Sequence, residues 1–300
     1  MKQMNRRDFI RVGAMGLAGA SLLQSGISCV NMEQSKHVSV DRVKLGKSGL
    51  TVSRIAMGTG TRGYNKGSNQ TRLGMDNFVK LAHHAYERGI TFFDTADGYG
   101  SMPYVGEAIK TLPRKKITLL TKMGTPDSSD QEQAQQAFSS NIERFLKEMG
   151  VDYIDILLLH YMTKGDWTQT RAHYMECFSK AKKDGIVKAV GVSCHNIDAL
   201  REAAVHPWVD VIMARINPFN TLMDGPPDEI KTILATAKNN GKGVIAMKVF
   251  GEGQHVADDE REASIRFVLT QGNTHCMTLG LESTAQMDDA IERVMRNVKK

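Results

Sequence analysis

Asp94, Tyr99, Lys122 and His160 are the side chains whose types and spacing could do chemistry in this chain. The first two share the stretch Ile90-Thr-Phe-Phe-Asp94-Thr-Ala-Asp-Gly-Tyr99-Gly100, an apolar run that breaks into a polar, glycine-bearing loop. A phenol titrates near pKa ~10, so proton donation near neutrality calls for a neighbour that lowers that value. An ammonium beside it does so electrostatically, and a carboxylate holds the ammonium in place. Lys122 ends the next apolar run, Lys116-Ile-Thr-Leu-Leu-Thr-Lys122, and His160 ends the one after, Tyr153-Ile-Asp-Ile-Leu-Leu-Leu-His160. The expected chemistry is acid/base work by Tyr99, with Lys122 lowering its pKa, Asp94 orienting Lys122, and His160 hydrogen-bonding the oxygen that is protonated. Taken singly, each residue has a plainer reading: a capping carboxylate, a packed phenol, a solvated ammonium, a satisfied core imidazole.

These groups meet only if the runs that carry them are neighbouring strands ending on one side. The pattern from residue 54 onward supports that. Apolar runs begin at Arg54, Thr91, Ile117, Tyr153, Ile186, Val209, Gly243 and His275, and each is followed by a helical stretch. The helices are expected over 75–88, 104–110, 131–149, 167–183, 197–205, 227–239, 258–270 and 284–298. The runs are nearly continuous rather than alternating, as in a parallel sheet buried on both faces. Eight such units with right-handed crossovers predict an α/β fold, a (β/α)8 TIM barrel. Before it, 40–45 and 50–53 flank Gly46-Lys-Ser-Gly49, the pattern of a β-hairpin. An open doubly wound sheet is the alternative. It would want Gly-x-Gly-x-x-Gly after its first strand, and Met57-Gly58-Thr-Gly60-Thr-Arg62 starts that way but leads into a long loop.

Phe93-Asp94-Thr-Ala-x-x-Tyr99-Gly, then Thr121-Lys122, then the run ending in His160, together resemble the aldo-keto reductases, over residues 41–298. The resemblance implies a barrel plugged by the hairpin and a catalytic set of Tyr99, Lys122, Asp94 and His160 at its mouth. It also implies a nicotinamide cofactor, NADP or NAD, held by the later strands. Ser193 matches the family's Gly-x-Ser-Asn segment, which holds the carboxamide, but Cys194 stands where Asn is usual and Met213 where Gln is common. His195 or Asn196 could substitute. Lys248 and Gly251 fall in the loop that passes over the pyrophosphate, and Gly280, Glu282, Ser283 and Gln286 at the adenine end. Relatives that prefer NADP place Arg or Lys near Glu282; a carboxylate repels a phosphate and accepts from a ribose diol, which favours NAD or mixed use. Thr284 could instead cap the last helix, with Glu282 in solvent.

The implied substrate is a small aldehyde, ketone or sugar-type alcohol. The other functional reading is a non-catalytic, cofactor-binding regulatory barrel resembling the potassium-channel β subunits. Loops 61–74, 161–170 and 217–226 would set the substrate and carry no diagnostic pattern. Weaker mouth candidates are Asp97, Arg215, Asn217, Asn220, Trp167, His173 and His195, while Glu107 reads as structural.

The 300 residues are 41% hydrophobic and 24% charged, a soluble globular composition with a net charge of +6. Part of that charge sits in the first eleven residues, and no basic-aromatic stripe marks a nucleic-acid site. Residues 1–29 read as an export signal: Arg6-Arg7-x-Phe9-Ile10 resembles the twin-arginine type, and an apolar Gly/Ala-rich stretch follows. The expected destination is the periplasm, with lipid attachment at Cys29 an open alternative to cleavage. A polar linker, 30–40, leads to the barrel at 41–300. The four cysteines show no paired spacing, so no metal or iron–sulfur site is expected.

Overall fold

The computed structural model describes residues 39–127 and 130–298. The expected export signal, Cys29 and most of the linker lie outside the described residues. Hairpin strands β1 (Arg42–Lys44) and β2 (Thr51–Ser53) pair antiparallel, Arg42 with Ser53 and Lys44 with Thr51. Eight parallel strands then close on themselves: β3 (Ile55–Gly58), β4 (Phe92–Asp94), β5 (Thr118–Gly124), β6 (Ile154–Met162), β7 (Val187–Cys194), β8 (Val211–Arg215), β9 (Gly243–Met247) and β10 (Cys276–Leu279). Strand β10 pairs with both β9 and β3, so no edge is left open. This is the expected (β/α)8 barrel with its N-terminal hairpin.

Helices α1 (Met75–Glu87), α2 (Met102–Ile109), α3 (Gln131–Met149), α6 (Ile197–Val205), α7 (Pro227–Asn239), α8 (Asp258–Thr270) and α9 (Thr284–Val298) cover the outside. The helix expected over 167–183 is two: α4 (Trp167–Thr170) and α5 (Ala172–Lys183). Arg171 leaves helical geometry between them (φ −119°, ψ 13°). From there its Nε donates to Thr125 Oγ1 at 3.1 Å and its guanidinium pairs with Asp127, fastening the loop after β5.

Two apolar layers hold the barrel together. Side chains alternate along a strand, so one set faces the helices and the other fills the interior. Ala56, Phe92, Leu120, Ile156, Leu158, Ala189, Val211, Met213, Ile245, Met247 and Cys276 form the inner cluster. Leu45 and Val52 of the hairpin region join it, and Lys47 N–H donates to Gly241 O (2.7 Å) just before β9. The hairpin therefore closes the N-terminal end, leaving the C-terminal end as the mouth.

Candidate active site

The same alternation names the side chains at the mouth. Continuing the inner set upward gives Gly58 after Ala56, Asp94 after Phe92, Lys122 after Leu120, His160 after Leu158, Ser193 two positions beyond Gly191, and Thr278 after Cys276. Polar side chains thus cap an otherwise apolar interior on neighbouring strands.

Lys122 is 1% exposed and Asp94 4%. Lys122 Nζ bonds Asp94 Oδ1, donates to Thr95 O at 2.8 Å, and lies 4.9 Å from the centre of the Tyr99 ring. The other carboxylate oxygen, Asp94 Oδ2, accepts from Thr278 Oγ1 at 2.8 Å. Burial pulls the Lys122 ammonium down, but Asp94 and Tyr99 together hold it above the ordinary lysine value. Tyr99 departs from expectation. Burial raises its pKa, Lys122 lowers it, Asp94 raises it again, and the balance lies above the ordinary phenol value. The lysine acts in the direction expected; burial and the carboxylate outweigh it, so the phenol keeps its proton at neutral pH.

The Tyr99 ring rests on the backbone of the loop after β3. A Cβ at Gly60 would sit 2.2 Å from it and one at Gly63 2.5 Å. On its other side the His160 ring stands edge-on, centroids 5.8 Å apart and planes at 86°. His160 lies in an irregularity of the β6–β7 ladder, where Leu159 pairs with Val192 but Met162 pairs with Cys194. One extra residue there re-aims the side chains around it. Burial first, then Lys122 and His195, push the His160 pKa down to about 3, so the ring is neutral. The His195 ring lies 4.3 Å from that of Tyr161, tilted by 36°. Among the described residues, all but one of the non-glycine residues with left-handed φ, Asn273 excepted, sit in mouth loops or at the end of β6, where backbone strain commonly marks a binding face.

A cleft of about 590 Å³ opens beside Tyr99 and runs along the ends of β8, β9, β10 and β3. That lies within the range of small-molecule and cofactor sites. Of the expected site residues, Asp94, Tyr99, Lys248, Gly280, Glu282 and Gln286 line it. At the inner end, a Cβ on Gly58 would approach Thr278 Oγ1 to 2.8 Å, and one on Gly280 would collide with Thr61 Oγ1 at 1.9 Å. The wall is thus backbone that glycine keeps open. Lys248 lines the cleft with its Nζ on Glu252 (2.5 Å), so a phosphate would meet a cation already paired. At the outer end Asn69 Nδ2 donates to Glu282 Oε1 (2.6 Å), which keeps that carboxylate at the cleft wall.

Other candidate residues are held by local contacts. Ser283 Oγ accepts Gln286 N–H (3.2 Å), and Gln286 Oε1 accepts Glu282 N–H (2.9 Å). Ser283, not Thr284, therefore closes the first turn of α9, while Gln286 also lines the cleft. Gly251 does not line the cleft but turns its loop (φ +56°) against His255 and Thr221; Gly253 lines it instead. Cys194 packs in the outer apolar layer, where burial raises its thiol pKa. Asn196 caps α6, accepting from Asp198 N–H and Ala199 N–H. Asp97 pairs with Lys66 and Arg144, away from Lys122. Arg215 closes on Asp224, and buried Asn217 braces its own loop through Thr221 and Lys248 O. Trp167 is buried, donating to Ala199 O at 3.3 Å, and His173 faces Glu176. Thr278 and the two glycines under Tyr99 were not singled out from sequence. Alternation along Cys276-Met-Thr278-Leu marks Thr278 as inward; nothing local marks the glycines.

Residues 54–300 match the family model described as the aldo/keto reductase family. The chain is 24% identical to the NADH-specific methylglyoxal reductase of Escherichia coli (strain K12) over 219 residues, 67% of this chain and 64% of that one. It is 26% identical to a D-threo-aldose 1-dehydrogenase of Pseudomonas sp over 232 residues, 69% and 68% of the two chains. The matches span about half to two thirds of the curated relatives' lengths. Among solved structures, the aldo-keto reductase AKR11C1 from Bacillus halodurans in its holo form superposes with a TM-score of 0.66 at 20% identity, covering 85% of this chain and 91% of that one. With barrel, hairpin and mouth polar set already in place, the family match completes the assignment: the chain belongs to the aldo/keto reductase family.

Proposed function

We propose that this chain is a nicotinamide-dependent oxidoreductase that interconverts a small aldehyde or ketone, sugars included, with its alcohol. The observation that carries this reading is the buried Lys122–Asp94 pair set beside Tyr99 at the head of the cleft. Bound NAD(P)H supplies a hydride to the carbonyl carbon. Tyr99 Oη gives its proton to the carbonyl oxygen, and hydride plus proton complete the alcohol. Lys122 stabilises the phenolate left behind, Asp94 and Thr278 hold Lys122 in register, and neutral His160 donates a hydrogen bond that fixes the oxygen. The same groups run in reverse for alcohol oxidation. Glu282, held at the cleft wall by Asn69, favours a ribose diol over a 2′-phosphate, and therefore NAD over NADP.

Titration with NADH and NADPH, read by cofactor fluorescence, followed by turnover of an aldehyde and aldose panel, tests this. Saturable binding with tighter NADH and Tyr99-dependent turnover is expected. Binding without turnover would move the chain to the regulatory reading, for which the thioether of Met213 at the cleft wall speaks.

The glycine floor gives a further check. Gly60→Ala places a methyl group 2.2 Å from the Tyr99 ring and must displace it. Misplacing a catalytic group by ~1 Å lowers rates by roughly 10²-fold. We expect a turnover loss of that order with little change in melting temperature. Unchanged turnover would mean that the ring is not held where the geometry puts it.

A further inference from the structure

Most charged side chains along the cleft wall come in pairs. Asp94 is bound to Lys122, Lys248 to Glu252, and Arg261 to Asp289 at 3.0 Å. Two are left over: Glu282 at the outer end, held by Asn69, and Arg62 at the Tyr99 end. Arg62 is exposed and, among the described residues, pairs with no carboxylate. It rises from the turn that floors the Tyr99 ring, where Gly63 N–H donates to Gly60 O at 3.0 Å and both glycines abut that ring. Its φ of +50° lies in the left-handed region, which glycine takes freely and other residues rarely do. The turn is also braced from outside. Gln70 Oε1 accepts Thr61 N–H at 3.0 Å, Asn69 N–H donates to Thr61 O at 2.9 Å, and Tyr64 bridges to Gly67. Arg62 is therefore a cation on a fixed base, at the end of the cleft where the carbonyl is reduced.

Resting on the oxidoreductase reading above, we infer that Arg62 receives a carboxylate carried by the substrate, which makes the preferred carbonyl compound an oxo acid. A guanidinium is always charged, and its paired N–H groups match the two oxygens of a carboxylate. The catalytic groups supply no competing charge. Lys122 and Asp94 cancel, Tyr99 keeps its proton and His160 is neutral. Arg62 is thus the unbalanced charge at that end of the cleft, and a residue kept in a strained backbone state at a binding face commonly has its side chain in use. The competing claimant is the cofactor's pyrophosphate, which the same reading places under the loop that carries Lys248.

Turnover of 4-oxobutanoate and 5-oxopentanoate is compared with that of their methyl esters, which keep the chain and lose the charge. Wild type should favour the acids in kcat/KM, mainly through KM. Arg62→Gln should lower the acid-to-ester ratio about 10- to 30-fold, the worth of one hydrogen bond to a charged group. Arg62→Lys, still cationic but without the fork, should restore part of the ratio, and high salt should erode the wild-type preference. Affinity for the preferred dinucleotide, read by fluorescence, should hold within a few-fold. Wild type that treats acids and esters alike overturns the inference. So does an Arg62→Gln variant that weakens the dinucleotide and lowers acids and esters equally, which hands Arg62 to the pyrophosphate. A wild-type chain that binds the dinucleotide but reduces none of these aldehydes, nor any of the wider panel, fails the oxidoreductase reading itself, and this inference with it.

Discussion

Tyr99→Phe is expected to lower aldehyde turnover by about 10²–10⁴-fold, the usual contribution of a positioned general acid. The phenyl ring still fits between Gly60, Gly63 and His160, so shape is conserved while the proton is lost. Dinucleotide affinity should stay within a few-fold of wild type, and single-turnover hydride transfer should fall as far as kcat does. The pH profile distinguishes the source of the effect. Because burial and Asp94 hold the Tyr99 pKa above its ordinary value, reduction by wild type should be flat through neutrality. It should decline only as alkaline pH deprotonates the phenol. Oxidation, which needs the phenolate, should rise in that range. His160 is already neutral across it, its pKa having been pushed down to about 3, so no imidazole step should appear near pH 6–7. Such a step in wild type would sink the assignment of the ionisable group.

Lys122→Met should cost both activity and stability, and the second loss is the more diagnostic. Removing one partner of a buried ion pair strands the other's charge, typically at about 3–5 kcal/mol. Here the stranded group is Asp94, 4% exposed, with only Thr278 left to donate to it. We expect a large drop in the urea midpoint and loss of turnover. The double variant Lys122→Met/Asp94→Leu should regain much of the stability and none of the activity, since the apolar pair removes the buried charge but cannot stabilise the phenolate. If the single variant kept wild-type stability, Asp94 and Lys122 would not form the buried pair described here.

Much of this architecture is readable from residue order. Helices α3, α6, α7, α8 and α9 begin and end where apolar periodicity and the capping residues place them. Strand ends were harder, and several run one or two residues further toward the mouth than the apolar runs suggest, as at Gly124, Met162, Cys194 and Arg215. Hydrophobicity marks burial, whereas ladder pairing continues into polar residues. Asp94, Lys122 and His160 were legible because each ends an apolar run, and Tyr99 because it follows Asp94 in the same loop. Less visible were properties that depend on what faces what. The outward turn of Cys194 follows from strand parity, and the net rise of the Tyr99 pKa from summing burial against two opposite charges. The ladder irregularity at His160 has no signature in Leu157-Leu-Leu-His160-Tyr-Met.

The bond from Thr278 to Asp94 ties the eighth barrel strand to the second. A nascent chain that has displayed Asp94, Lys122 and His160 still lacks the hydroxyl that completes the carboxylate's shell. Chemical competence therefore arrives with closure of the ring and not before. A ribosome-bound fragment ending ahead of Cys276 should carry the acid/base residues without their working arrangement.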